Sequence, residues 1–419
     1  MTDFSEAGPD RSYVAQHADA MPEVAFSRRE YADRLTRVRE AMAREGVDVL
    51  FLQSPESMCY ISGYESAWYQ SGETPAAPVT TVCVHVDHDD FIFFDDYYHS
   101  VHARYQTIAN DIRVHGGEWS QVFVEPYDFI AAELKAAGWL PGVTGFEMGA
   151  YRPNRHYSEL YQAAFEAKGA TVVDATKLVR EVRSLKSPAE MRCIETAASI
   201  ADIGLQAVVD NLQPGMTELE LWGIVFAAMT KAGGENQSIP MLVESGLKQV
   251  AGHSLASRKQ IMPGEALFVD VCGVFNRYHS DQGRMFCIGE PDRAATERIN
   301  ITAGVYDEIE KILRPNIPFK EINHLTKSYY EEAGLWGEHS YIGGYELGIS
   351  FPPDWVGNFI YGVHDMDDER PLAPGMVVNH EAQFYLPNLA GFSILVDTIR
   401  VREDDASFVS KFPRELVVV

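Results

Sequence analysis

Apolar residues recur every three to four positions at Tyr31, Leu35, Val38 and Met42, a spacing that lays them along one face of a helix ending at Gly46. The apolar run Val49 to Leu52 follows and predicts a short buried strand. Strand patterns return at Val79 to Val86 and Phe91 to Phe94, either side of the turn His88-Asp89-Asp90, and near Gly145 and Thr171, with a helical stretch from Tyr127 to Ala137 before them. After a polar arm (1–25), residues 26–180 therefore predict a mixed α/β domain, a sheet with covering helices.

The pattern changes from Leu178 to Pro188, where basic residues and Ser187-Pro188 precede a long amphipathic helix, Ala189 to Leu212. A domain boundary is expected there. Thr217 and Glu220 have the spacing of a capping box, in which each side chain satisfies an orphan amide at the start of the next helix. Helices also fit Asp292 to Leu313 and Pro318 to Ala333; strands fit Ala266 to Gly273, His279 to Ile288, Met376 to Leu386 and Phe392 to Val401. Residues 186–419 thus read as an α+β domain, with strands joined by short turns and helices kept apart from them.

Composition supports two domains, since 419 residues at 46% apolar content exceed what one core usually organises. The net charge of -26 repels phosphate backbones and anionic lipid, so neither nucleic acid nor membrane is an expected partner. Five scattered cysteines without a CxxC pair fit reduced thiols. No run is long and apolar enough to cross a bilayer, and Met1 to Glu23 lacks the pattern of a secretory signal, so a cytoplasmic location is expected.

The chemistry concentrates in the second domain. In Phe268-Val269-Asp270-Val271 a carboxylate sits inside an apolar strand, where unpaired burial costs several kcal/mol. Asp281 follows beyond a turn through Asn276, so a hairpin brings both carboxylates onto one face. Such a pair binds a metal, holds a cation or shares a proton; the other reading is a structural salt bridge to Arg284 or Arg277. Glu381 repeats the oddity in Val377-Val378-Asn379-His380-Glu381, after the turn Ala373-Pro374-Gly375. His253, in a loop, offers an imidazole for acid or base work, or is an ordinary surface histidine.

In this order the motifs resemble the pita-bread family of methionine aminopeptidase, aminopeptidase P, prolidase and creatinase. The resemblance runs from a creatinase-like opening at Tyr31 to Tyr64, through the boundary Val182-Arg183-Ser184-Leu185-Lys186-Ser187 and the Asp270 and Asp281 hairpin, to Pro374-Gly375-Met376-Val377 before Glu381. It implies a pita-bread catalytic domain and, as in relatives, a homodimer. The family's metallopeptidases hold two metal ions with two aspartates, one histidine and two glutamates. Asp270, Asp281 and Glu381 match three of these; the ligand histidine falls on Tyr345, the last glutamate on Val396, and a second substrate-side histidine on Pro352.

Those departures are similar to the metal-independent members, creatinase and ectoine hydrolase. His253 before Arg258-Lys259 occupies the place of the creatinase base, and Glu381 that of a glutamate gripping the guanidinium, whereas the other creatinase glutamate falls on Gly283. Segments similar to ectoine hydrolase include Gly348 to Trp355, Arg277-Tyr278-His279 and the aromatic loop Gly63 to Tyr69; that enzyme's catalytic glutamate falls on Asp270, one methylene shorter. The resemblance implies a hydrolase that cleaves a non-peptide C–N bond in a small amidine, guanidine or cyclic amide, without metal or other cofactor. His253, Asp270 and Glu381 are then catalytic, with Asp270 either holding the amidine or attacking it. Asp281, Tyr345, Tyr278, Trp68, Tyr69 and Trp355 bind substrate, and if a metal is held, Asp270, Asp281 and Glu381 hold it. Tyr345, Trp68, Tyr69 and Trp355 equally fit plain packing roles. The alternatives are an Xaa-Pro metallopeptidase with an altered site, a metal-dependent lyase, whose known relative carries an aspartate where Cys272 stands, and a ligand-binding pseudoenzyme. Four polar groups in costly places argue against the last.

Overall fold

The computed structural model describes residues 23–70, 77–97, 99–116, 124–387 and 391–419, so most of the expected arm lies outside the described residues. The chain divides into two compact units between Arg183 and Ser184.

In the first unit, the helix Arg28–Glu45 begins where the Ser27 hydroxyl accepts the Glu30 amide and ends at Gly46, whose φ of 70° suits a residue without a side chain. Tyr31, Leu35, Val38 and Met42 are all buried along it. Val49–Leu52 lies inside a six-stranded sheet ordered Asp111–His115, Phe91–Asp96, Thr81–His85, Val49–Leu52, Val143–Phe146, Thr171–Asp174. The sheet is mixed: Val49–Leu52 pairs antiparallel with Thr81–His85 and parallel with Val143–Phe146. Phe51, Phe146, Tyr161 and Phe165 meet in its core, the last two from the helix Arg155–Ala167, which the hydrophobic pattern did not predict.

The second unit opens with the helix Pro188–Asn211, capped reciprocally by Ser187 and Glu190, and continues with Glu218–Lys231, capped by Thr217 and Glu220 as the spacing predicts. Its main sheet runs Ile360–Gly362, His339–Tyr345, Val377–Tyr385, Phe392–Val401, Gln282–Cys287, Ala266–Val271, Leu242–Ser245. The predicted strand from His279 to Ile288 is broken: Tyr278–His279 pairs with Val274–Phe275 in a separate two-stranded ribbon, and the sheet strand starts at Gln282. Asn276 and Arg277, both with positive φ, make the two-residue turn between those ribbon strands. Gly273 is required beside that turn, because a Cβ there would meet the Ala197 carbonyl oxygen of the long helix.

Alternation sorts the sheet's two faces. Val378, Ala382, Leu395 and Ile399 pack with Tyr306, Ile309, Phe319 and Ile322 from the helices Arg293–Ile312 and Phe319–Glu332. At the other end Val243, Leu267, Val269 and Val271 pack with Leu205, Val208, Leu221 and Val225 from the first two helices. The residues between these positions, Glu244, Phe268, Asp270, Asn379, Glu381 and Val396, point to the opposite face. That face carries a smaller apolar cluster, Leu242, Phe268, Met285, Ile394 and Val396, next to the acids.

Candidate active site

Strand register lines up one row across the sheet: Asp270 opposite Gly283, Gly283 opposite Val396, Val396 opposite Glu381, and Glu381 opposite Gly343. Side chains in one row share a face. Two acids therefore flank a glycine and a valine that offer no polar atom. Asp281 stands two residues from Gly283 on the same side, and the Thr398 hydroxyl anchors its backbone by accepting the Asp281 amide at 2.9 Å and donating to the Asp281 carbonyl at 2.9 Å.

A chain of donors feeds the carboxylates. The Trp355 indole donates to the Tyr345 hydroxyl at 2.8 Å, and that hydroxyl donates to Asp281 Oδ2 at 2.9 Å. Asn379 Nδ2 donates to Asp281 Oδ2 at 2.8 Å and to Glu381 Oε1 at 2.7 Å, while its Oδ1 accepts the Tyr345 amide at 2.7 Å. The Trp355 ring also packs against the His279 ring, 4.3 Å between centroids. Asp281 is almost wholly buried, and Asp270 and Glu381 are half-buried. Asp270 Oδ1 is buried with no hydrogen-bond partner among the described residues. Such an orphan acceptor is costly and calls for a donor from outside the chain.

The salt-bridge reading of Asp270 does not hold. Arg284 donates to Asp397 Oδ2 at 2.8 Å and to the Val396 carbonyl at 2.6 Å, on the helix-covered face. Arg277 is taken by the Ser350 carbonyl at 2.7 Å and by Glu235. With no cation among the leading influences, the acids act on one another. Burial, then the charges of Asp281 and Glu381, pushes Asp270 well above the usual carboxylate range. Burial and Asp281 push Glu381 up to about 8. Burial also raises Asp281, against the hydrogen bonds from Tyr345 and Asn379 that favour its charged form. The site is a set of carboxylates that cannot all ionise together without a positive partner.

Tyr278 is buried and its hydroxyl donates to Glu190 Oε1 at 2.7 Å, a capping-box residue distant in sequence, so the hydroxyl supports the helix start. His253 is exposed, in the loop after the turn Gly246–Ala251, with a φ of 50°. Tyr69 is buried in the first unit, within the short turn Ala67–Gln70; the side chain of Trp68 in the same turn lies outside the described residues. Two residues that chain order alone does not single out belong to the acid face. Asn379 was legible as an amide two positions before Glu381, hence on the same side. Glu244 was hidden in a four-residue strand, Leu242–Ser245, where Leu242 opposes Asp270. It is buried, its charge weighs on Asp270, and burial raises its own carboxyl to about 7.

A paired metal centre does not fit this donor set. Asp270, Asp281 and Glu381 do not bring three ligand oxygens within 4.8 Å of one another; among the described residues the group that does so is Asp95, Asp96 and His99, in the first unit. Tyr345 offers a phenol whose proton is given to Asp281, burial raises it further from ionisation, and Val396 offers nothing. Tightly held transition-metal ions favour imidazole or thiolate among their ligands. The Cys272 thiol does reach Asp281, donating to its Oδ1 at 3.7 Å, but burial and the charges of Asp281 and Asp270 push it well above the usual thiol range, so it stays a thiol and not a thiolate.

Comparison with known proteins agrees with this architecture. Residues 34–185 match the Creatinase/Prolidase N-terminal domain and residues 192–404, half of the chain, match metallopeptidase family M24. Ectoine hydrolase of Halomonas elongata is 25% identical over 429 aligned positions, covering 94% of this chain and 98% of that protein. Xaa-Pro dipeptidase of Pyrococcus horikoshii is 27% identical over 57% of this chain and 66% of its own. The solved structure of Xaa-Pro dipeptidase from Bacillus anthracis superposes with a TM-score of 0.77 at 23% identity, covering 93% of this chain and all of that one. No helix among the described residues is long and apolar enough to cross a membrane. The mixed sheet followed by an α+β unit of pita-bread type, together with both domain matches, makes this chain a hydrolase of metallopeptidase family M24.

Proposed function

We propose that this hydrolase cleaves a non-peptide C–N bond in a small amidine, guanidine or cyclic amide, and does so without a metal. The observation that carries the reading is the orphaned Asp270 Oδ1 beside Asp281 and Glu381, three carboxylates with raised proton affinity and no cation from the chain. A planar amidinium supplies what is missing: parallel N–H donors for Asp270 and Glu381, and a positive charge that lets the acids ionise. In a metal centre the ions play that part; here the donor set does not suit them.

In this reading Asp270 and Glu381 hold the amidine, while Tyr345 and Asn379 keep Asp281 and Glu381 in place. His253 removes a proton from the attacking water and returns one to the leaving nitrogen, so that the C–O bond forms as the C–N bond breaks. The Halomonas relative supports a cyclic amidine as substrate. The dipeptidase relatives support the second reading, an Xaa-Pro peptidase with an altered site, because three of the family's five ligand positions are retained.

Binding of a cation to such a site expels protons. With Glu381 raised to about 8, its carboxyl is mostly protonated at about pH 7, and an amidinium that pairs with the carboxylate lowers that affinity. Calorimetric titration with ectoine or creatine at about pH 7, in buffers of different ionisation enthalpy, is expected to show net proton release. Binding with no proton release, or proton uptake, contradicts the proposed pairing.

A further inference from the structure

We infer that Glu244 is a positioning residue for His253, a role that rests on His253 being the base. The strand Leu242–Ser245 needs an apolar residue or none at this point, yet carries a buried carboxylate. The catalytic scheme above does not use it. Its Oε1 accepts the backbone amide of Ser254, the residue after His253.

The loop that carries His253 is anchored at its stem by other groups. Gln249 donates to the carbonyls of Glu244 at 3.0 Å and Ala266 at 2.9 Å, and accepts the Phe392 amide at 2.8 Å. Glu218 takes the amides of Ser245 at 3.1 Å and Ser257 at 3.0 Å, and pairs with Lys248, which also donates to the Leu255 carbonyl. These contacts fix where the loop leaves and returns. Between them, Gly252 and His253 both adopt positive φ, 61° and 50°. Histidine adopts that conformation at a cost, so something must impose it. Glu244 supplies the tether next to the strained residue, and its strand neighbours that of Asp270, with Leu242 opposite Asp270. One carboxylate thereby links the strand beside the substrate-holding acid to the backbone of the proposed base.

The link separates from general structural support by comparing Glu244→Ala with Glu244→Gln. Glutamine keeps an oxygen that accepts the Ser254 amide; alanine does not. Hydrogen exchange of a peptide covering residues 251–256 reads the tether without reference to activity. Faster exchange in Glu244→Ala, near-wild-type exchange in Glu244→Gln and unchanged protection elsewhere are expected. In turnover of ectoine or creatine, whichever the wild type hydrolyses, Glu244→Ala should lower kcat by about 100-fold with little change in KM, as misplacement of a catalytic group does. Glu244→Gln should recover most of that loss, and Glu244→Ala should cost nothing further in a His253→Ala background. Unaltered exchange of the loop in Glu244→Ala overturns the tether whatever the activity. An altered loop combined with a loss that persists in the His253→Ala background overturns positioning through His253. If the loop loosens while His253→Ala itself is fully active, the assignment of the base fails and the tether stands.

Discussion

Replacing His253 by alanine is expected to abolish turnover and leave the fold intact. The side chain is exposed and contributes nothing to the apolar clusters of the second unit, so the melting temperature should stay within the range of an ordinary surface substitution. Activity is another matter. Proton transfer by a positioned side chain contributes about 100-fold to 10,000-fold. Asp270, Asp281 and Glu381 all hold their protons more tightly than free carboxylates and are engaged with one another. Steady-state rates and a thermal melt on the same preparation check both halves. Substantial residual activity removes His253 from the mechanism.

Glu381→Gln is expected to act on binding and on pH dependence together. The amide keeps the shape of the side chain and an oxygen for Asn379 Nδ2, now 2.7 Å from Glu381 Oε1, so the network survives. What disappears is the charge. A hydrogen bond to a charged group contributes about 1.5–3 kcal/mol, so KM for a cationic substrate should rise by about 10-fold to 100-fold. Stability should respond with a definite sign. Glu381 has its carboxyl raised from 4.5 to about 8 in the fold, so the native state holds a proton that the unfolded chain releases. Its favourable contribution is complete below about pH 4.5 and is lost as pH rises through about 8. Glutamine cannot ionise and escapes that loss. Melts of the two proteins should coincide at about pH 4.5 and below, diverge steadily as pH rises from there, and reach their full separation by about pH 8, with the variant the more stable. A variant that is equally or less stable at high pH contradicts the raised proton affinity.

The parts of this account that chain order revealed have local causes. Thr217 with Glu220, and Gly46, mark helix ends through contacts a few residues long, and both ends stand where the spacing puts them. Asp270 and Glu381 were visible because an acid in an apolar strand is physically expensive wherever it occurs. What stayed hidden depends on distant partners. The aromatic spacing around Tyr278 does not reveal that its hydroxyl is taken by Glu190, in a helix starting far earlier. Leu242–Ser245 is too short, and too polar at Glu244, to read as a strand until Ala266–Val271 pairs with it. The face shared by Glu244, Asp270, Asn379 and Glu381 follows from strand register, which order along the chain does not specify.

A carboxylate site completed by a cationic substrate rather than by metal ions makes a clear demand on turnover. The deciding measurement is turnover of ectoine, creatine and Xaa-Pro dipeptides with and without chelator, alongside metal content of the same preparation by plasma mass spectrometry. Chelator-resistant cleavage of a cyclic amidine or guanidine, with metal far below one ion per chain, is the predicted result. Stoichiometric metal whose removal stops dipeptide cleavage contradicts the account, and would mean that Tyr345 and Val396 leave a working metal centre in place.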